Sequence, residues 1–431
     1  MSARSPWWWV PSLYLAEGLP FVVVQSVSII LYKRFGVSNT DLALYTRWLY
    51  LPWVIKPLWS PFVDLLGTRR AWTWGTQLVM GAALAGVAFA LPGPGWLQWS
   101  LAFFWLAAFD SATHDIGADG FYLLATTEAQ QTFFVGVRTM FYRVATIAGQ
   151  GALVYAVGKL EARGTDVHVA WARGMGAVAV LFVVFGLWHR LVLPRPDADR
   201  PGDVRRAPDL VRAFLGTFAS FFRRPRIAAV LAFLLLYRFG EAQLVKMVSP
   251  FLLDARDKGG LALATTDVGV IYGTVGIIAL TVGGLLGGWV VSRHGLRPWL
   301  WPMMLAIHLP DAAFIYLAYA QPTSHALIQA CVAVEQFGYG FGFTAFVVYM
   351  IYLARGPHAT AHYAIATGFM ALGMMIPGMW SGWLQDHIGY RHFFAVVILA
   401  TIPSFLAAAR IPLDEPAREG EPAGRSRAAA A

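Results

Sequence analysis

The apolar residues of this chain fall in long runs, and the length of those runs decides most of what it can fold into. Twelve stretches of roughly 18 to 31 residues stand out: Trp7–Tyr32, Asp41–Phe62, Ala71–Leu91, Leu97–Leu123, Phe133–Lys159, Val169–Leu193, Ile227–Leu253, Thr266–Val291, Pro298–Ala320, Ser324–Ala354, Ala361–Gln385 and His392–Ala409. A helix needs about 20 apolar residues to cross a hydrocarbon core of ~30 Å. In lipid no water satisfies a backbone N–H or C=O, so a spanning segment must be helical or part of a closed barrel. The runs predict an all-α membrane protein with twelve transmembrane helices, α1 to α12. Charge agrees: 13 % of residues are charged, against about 25 % in soluble domains. Tryptophans cluster at the run ends (Trp7, Trp8, Trp9, Trp72, Trp74, Trp96, Trp99), where amphipathic rings favour the membrane–water interface.

The net charge of +9 lies in loops and not in a basic stripe interleaved with aromatics, so it does not indicate nucleic acid. The first run is too long for a signal core and lacks a small-residue cleavage site, so it reads as a retained helix. The single cysteine, Cys331, sits in an apolar run and forms no internal disulfide. With the N-terminus cytoplasmic, inside loops hold roughly twenty Lys and Arg and outside loops about eight, which places both termini inside. The loop 194–226 carries eight arginines and a short amphipathic helix, Leu210–Phe222, expected on the inner surface. It divides the chain into halves 1–193 and 227–410, and the Ala- and Pro-rich tail 411–431 reads as disordered.

The halves resemble each other. Glu17 and Glu241 lie 224 positions apart, Asp110 and Glu335 lie 225 apart, and the turn Gly67-Thr68-Arg69 recurs as Gly295-Leu296-Arg297 at 228. Two six-helix repeats with a substrate path between them is the plan of the major facilitator superfamily. The loop after α2 places Asp64, Gly67, Arg69 and Arg70 in a compact turn that resembles that superfamily's loop signature and is expected to gate the inner end. The copy after α8 keeps Arg293, Gly295 and Arg297 but has Ser292 in place of the acid. A third match, Gly382 to Arg391 with Asp386 and Gly389, falls on the outer side, which leaves a clamp role there in doubt.

Ionisable residues inside the runs are costly, about 2.5–3.5 kcal/mol or more each at mid-membrane, and therefore point to function. They include Glu17 in α1, Arg47 and Lys56 in α2, Asp110, His114, Asp115 and Asp119 in α4, Arg143 in α5, Arg238, Glu241 and Lys246 in α7, His308 and Asp311 in α9, and Glu335 in α10. A fixed network of interhelical salt bridges is the alternative for any of them. Asp110 and His114 share one face of α4, as do Asp115 and Asp119. A carboxylate beside a histidine in low dielectric suits a proton carrier, so Glu17, Asp110, His114, Asp115, Asp119, Glu241 and Glu335 are candidates for proton coupling. The spacing matches no zinc signature, and no metal is expected. Lys56, Arg143, Arg238 and Lys246 would suit an anionic solute, with Tyr142 and Tyr237 beside them as stacking surfaces, unless each cation only neutralises a neighbouring acid.

Several motifs carry a family resemblance. Lys56-Pro57-Leu58-Trp59-Ser60-Pro61 with Arg69-Arg70, Ser111-Ala112-Thr113-His114-Asp115-Ile116 with Asp119, Tyr142-Arg143, Leu236-Tyr237-Arg238-Phe239-Gly240-Glu241-Ala242 and Glu335 with Gly338, Gly340 and Gly342 run through nearly the whole chain. Together they resemble the AmpG-like muropeptide permeases, a branch of the major facilitator superfamily related to acetyl-CoA transporters. The resemblance implies proton-driven import of anhydro-muropeptides across the bacterial inner membrane. It also implies coupling or gating at Asp115, Asp119 and Glu335 and anion binding at Arg143 and Arg238. Glu17, His114, Lys246 and Gly273 depart from the family pattern, Gly273 standing where a lysine is expected. The chain reads as a monomer in the lipid bilayer that takes a small-molecule substrate and uses no cofactor beyond the proton gradient. An exporter or facilitator for a siderophore, sugar or nucleotide-linked group shares all these features. An intramembrane enzyme acting on lipid-linked sugars would instead group its polar residues at one interface.

Overall fold

The computed structural model describes residues 5–60, 63, 66–201, 207–355 and 359–413. Asp64 of the expected gating loop and the tail from 414 onward lie outside them. Among the described residues, eight helices are long and apolar enough to cross a membrane: Pro6–Arg34, Arg69–Ala90, Val167–Val192, Ile227–Leu253, Thr265–His294, Leu300–Ala320, His325–Ala354 and His362–Ala408. The last contains two spans, α11 and α12, which turn on Gly389 at φ 71°, a conformation that glycine adopts at no steric cost. Three further spans carry polar and charged residues within them. They are α2 in the pieces Asn39–Trp48 and Leu51–Ile55, α4 at Trp96–Ala125, and α5 from Glu128–Thr146 to Val154–Ala162. The twelve spans form two six-helix halves, joined through the helix Ala207–Phe222.

Local chemistry sets the helix ends. Ser38, Thr68, Thr127, Asp166 and Ser324 each accept a first-turn backbone N–H with their side chains, supplying partners that lipid cannot. Widened π-helical turns interrupt α1 at Val23–Val27, α5 at Ile147–Leu153 and α8 at Ile271–Gly276. The α5 and α8 turns pack on each other, and a Cβ on Gly273 would strike the carbonyl of Gln150. The lysine expected at position 273 therefore has no room: glycine is what lets α5 and α8 approach.

The apolar core is distributed unevenly between the two ends of the bundle. At the end away from the termini one continuous cluster joins the halves, with Ile30, Leu31 and Leu42 of the first half in the same core as Val248, Phe251 and Tyr390 of the second. At the terminal end the halves keep separate clusters. One gathers Trp9, Tyr14, Phe121 and Tyr122, and the other gathers Phe233, Tyr237, Phe346 and Tyr349.

Candidate functional site

Polar contacts repeat that asymmetry. At the far end Lys33 Nζ lies 2.7 Å from Asp254 Oδ1 and Arg34 lies 3.0 Å from Glu161. The Thr265 hydroxyl of α8 donates to Glu161 of α5 at 2.7 Å, and Tyr390 donates to Asp254 at 2.7 Å. Asn39 of α2 donates to Gln385 of α11, while the backbone N–H and hydroxyl of Thr40 both donate to Asp386 at 2.9 and 2.7 Å. The third loop match thus supplies Gln385, Asp386 and Tyr390 to a cross-half seal.

At the terminal end the following contacts between described residues lie within one half or between a half and the linker. The backbone N–H groups of Arg69 and Arg70 donate to Asp199 at 2.7 and 3.0 Å, and the Arg70 guanidinium caps the carbonyls of Arg190 and Leu193 at the end of α6. The Arg69 guanidinium lies over Gly120 of α4. Gly67 lies beside Trp72. Gly295 ends α8 at φ 82°, and Arg293 lies over the Trp289 ring. Arg224 plays a part in the second half like that of Arg70, donating to the carbonyls of Leu353 and Arg355 and meeting His362 Nδ1 at 2.7 Å.

Between these ends sit two charge clusters. In the first half, Lys56 lies 3.4 Å from Asp115. Asp119 pairs with Arg138 of α5 and accepts the Tyr14 hydroxyl at 3.0 Å. Arg138 also covers the faces of Tyr14 and Tyr122 at 4.1 and 4.5 Å. Glu17 lies within electrostatic reach of Asp115, Asp119, Arg138 and Lys56, and its Oε2 makes no hydrogen bond. Three carboxylates share two cations. Tyr142 packs on Gly18 beside this cluster, and Arg143 is half-buried within reach of Tyr339 of the other half.

In the second half, Arg238 lies 3.7 Å from Glu241, bonds the Tyr339 hydroxyl, and covers the Tyr339 and Phe343 rings at 4.8 Å. Arg47 crosses from α2, donating to the Ala242 carbonyl at 2.9 Å and bearing electrostatically on Glu241. Gly378 of α11 leaves the space for its guanidinium. One oxygen each of Glu241, Asp311 and Glu335 lies within 4.8 Å of the others, and all three residues are buried.

Other expected residues lie elsewhere. Asp110 and His114 do not work together. Asp110 points into an apolar groove of about 540 Å³ between α3 and α4, lined by Trp72, Gly75, Thr76 and Phe109. His114 instead joins a buried chain in which its Nε2 meets the Gln77 amide at 2.9 Å, Gln77 meets His189 at 2.7 Å, and His189 meets Ser12 at 2.9 Å. This chain ties α1, α3, α4 and α6 together. Tyr237 is fully buried, stacked on Phe346 at 4.5 Å, with its hydroxyl on the Gly342 carbonyl. It is a core residue and not a stacking surface for solute. Lys246 is fully buried and its Nζ makes no hydrogen bond. Arg47 and Asp311 stand among the ionisable residues that the sequence places inside apolar runs, without an assigned role, whereas Arg138 was not singled out. Arg138 lies in the same apolar run as Arg143, and the run alone does not say which of the two meets a carboxylate. Arg47 and Asp311 carried the same signal as the others, an ionisable group inside an apolar run.

The BT1 family model matches residues 16–185. Over 407 residues the chain is 26 % identical to the putative transporter AmpG 4 of Rickettsia conorii, covering 91 % of this chain and 93 % of that one. It is 24 % identical to the anhydromuropeptide permease of Escherichia coli K12 over 401 residues, covering 91 % and 77 %. The fold resembles the nucleoside transporter NupG (TM-score 0.69, 14 % identity, 93 % and 97 % covered) and a D-xylose–proton symporter (0.69, 12 %, 94 % and 97 %). The chain is thus similar to AmpG-type transporters over about nine-tenths of its length, and it has the fold of the major facilitator transporters.

Proposed function

We propose that this transporter imports an anionic, sugar-containing solute such as a muropeptide fragment, coupled to protons, across the bacterial inner membrane with both termini cytoplasmic. The observation that carries the reading is the first-half cluster, in which Glu17, Asp115 and Asp119 share Lys56 and Arg138 among the described residues. Such a set is short of one positive charge. A proton supplies it, and a solute anion that competes for Lys56 releases a carboxylate that then needs the proton. Arg143 and Arg238, one from each half, both bear electrostatically on Tyr339 and suit a carboxylate or phosphate on the solute. The name borne by the Escherichia coli relative supports the solute class.

In this orientation the far-end seal is the periplasmic gate, and the conformation is closed to the outside. Import by rocking of the halves requires the Lys33–Asp254 pair and the Thr265–Glu161 hydrogen bond to part and the terminal end to close. The test is uptake of a labelled anhydro-muropeptide into proteoliposomes. An acidic exterior should accelerate it, and Glu17→Gln should make it indifferent to the gradient. Wild-type uptake that ignores an imposed pH gradient would sink the coupling claim. Export, or a different solute, is separated by the direction of net flux under the same gradient.

A further inference from the structure

We infer that Glu241, Asp311 and Glu335 form a sodium site between α7, α9 and α10, distinct from the first-half cluster. One oxygen from each carboxylate lies within 4.8 Å of the others. That is the greatest separation of two oxygens that both touch a central cation at about 2.4 Å, within the range of hard cations of this size. The oxygens are also unsatisfied. Asp311, 1 % exposed, has neither carboxylate oxygen hydrogen-bonded, and Glu241, fully buried, likewise. Glu335 accepts only from the neighbouring Gln336 amide, at 3.0 and 3.3 Å. Buried carboxylates left without donors cost free energy that a bound cation recovers.

Charge decides the valence. Arg238 lies beside Glu241, and Arg47 reaches it from the other half. Asp311 is influenced by Glu241 and Glu335, and Glu335 by Glu241, with no cationic side chain acting on either among the described residues. Three negative charges against two positive ones leave room for one univalent ion, whereas a divalent ion would leave the pocket positive. The backbone is shaped for the same purpose. The helix of α9 stops at His308 and continues as a tighter turn, Leu309–Asp311, around Pro310. Proline gives the Ala306 carbonyl no N–H to accept, and that carbonyl faces α10 at Gly338, one turn beyond Glu335. Interrupted helices that present carbonyls and carboxylates at mid-membrane are how transporters hold alkali cations.

The inference stands apart from proton coupling. The test is thermal unfolding of the purified full-length protein in NaCl, KCl and choline chloride at equal ionic strength and pH. NaCl should raise the wild-type midpoint by a few degrees over the other two by mass action, and Asp311→Asn and Glu335→Gln should abolish that rise while remaining folded in choline chloride. Should Asp311→Asn fail to fold, ²²Na⁺ binding to wild type, measured with and without excess KCl, keeps the question answerable. Equal midpoints in the three salts, or equal sodium responses in wild type and both variants, would overturn the site and leave a shared proton as the compensating charge. Uptake driven by a pH gradient in sodium-free buffer separates this outcome from failure of the proton reading.

Discussion

Lys33 at the end of α1 and Asp254 at the end of α7 form an ion pair at 2.7 Å, with only about a tenth of each side chain exposed. The pair belongs to a network, since Lys33 also donates to Asn39 at 2.6 Å and Asp254 accepts from Tyr390. Removing one member of a largely buried pair costs more than the pair itself contributes, because the survivor keeps its desolvated charge. The far end is therefore closed by groups that satisfy one another only when the halves meet there. Transport must break them together.

This yields a cross-linking prediction. Thr40 and Asp386 have short side chains and touch at 2.7 Å across the halves. In a Cys331→Ser background, Thr40→Cys with Asp386→Cys should form a disulfide on mild oxidation. Uptake should fall at least tenfold, and dithiothreitol should restore it. A cross-linked protein that still transports at the wild-type rate would mean that this end does not open.

Arg138 is the second target. Its pair with Asp119 is partly exposed, Asp119 having 47 % of its side chain accessible, so the pair alone contributes at most about 1 kcal/mol. Its seat over Tyr14 and Tyr122 adds about 0.5–2 kcal/mol. Arg138→Ala should lower stability by about 1–2 kcal/mol in reversible denaturation, yet reduce uptake far more than that loss of stability explains. Arg138→Lys keeps the charge but not the planar stack, and should restore the pH response of uptake better than the stability.

Gly273 gives a packing prediction. Because a Cβ there meets the Gln150 carbonyl, Gly273→Ala should cost about 1–3 kcal/mol, the usual range for overpacking, seen as a lowered thermal midpoint. Gly136 of α5, where a Cβ meets nothing within 4 Å, is the control. Gly136→Ala should be neutral or slightly stabilising.

The twelve spans were legible because lipid permits so few backbone solutions, and the charged residues were legible because lipid makes them expensive. Which charges meet was not. The repeat offset paired Asp110 with Glu335, but the residue that joins the Glu17 cluster is Asp115, turned by about 140° from Asp110 on a helix of 3.6 residues per turn. Sequence spacing fixes the face of one helix, while the neighbour on that face is chosen by tertiary packing. The same limit hid Arg138 behind Arg143, and it cast doubt on a clamp at Asp386, which in the folded chain bridges the halves.

The separation of Asp110 from His114 supplies the last prediction. Asp110 lies in the groove between α3 and α4, away from both charge clusters, so Asp110→Asn should leave pH-driven uptake within about twofold of wild type. The chain Ser12–His189–Gln77–His114 holds four helices of the first half through buried partners. Gln77→Leu leaves a ring nitrogen of each histidine without its partner, at about 1–3 kcal/mol for each unsatisfied group. It should lower the thermal midpoint by several degrees, whereas the pH profile of whatever uptake survives should stay in place. A shifted pH profile in Gln77→Leu, or lost coupling in Asp110→Asn, would put the proton path through α3 and α4 and away from Glu17. The structural assignment of this chain depends on that distinction, since a brace changes how much protein folds and a proton carrier changes the pH at which it works.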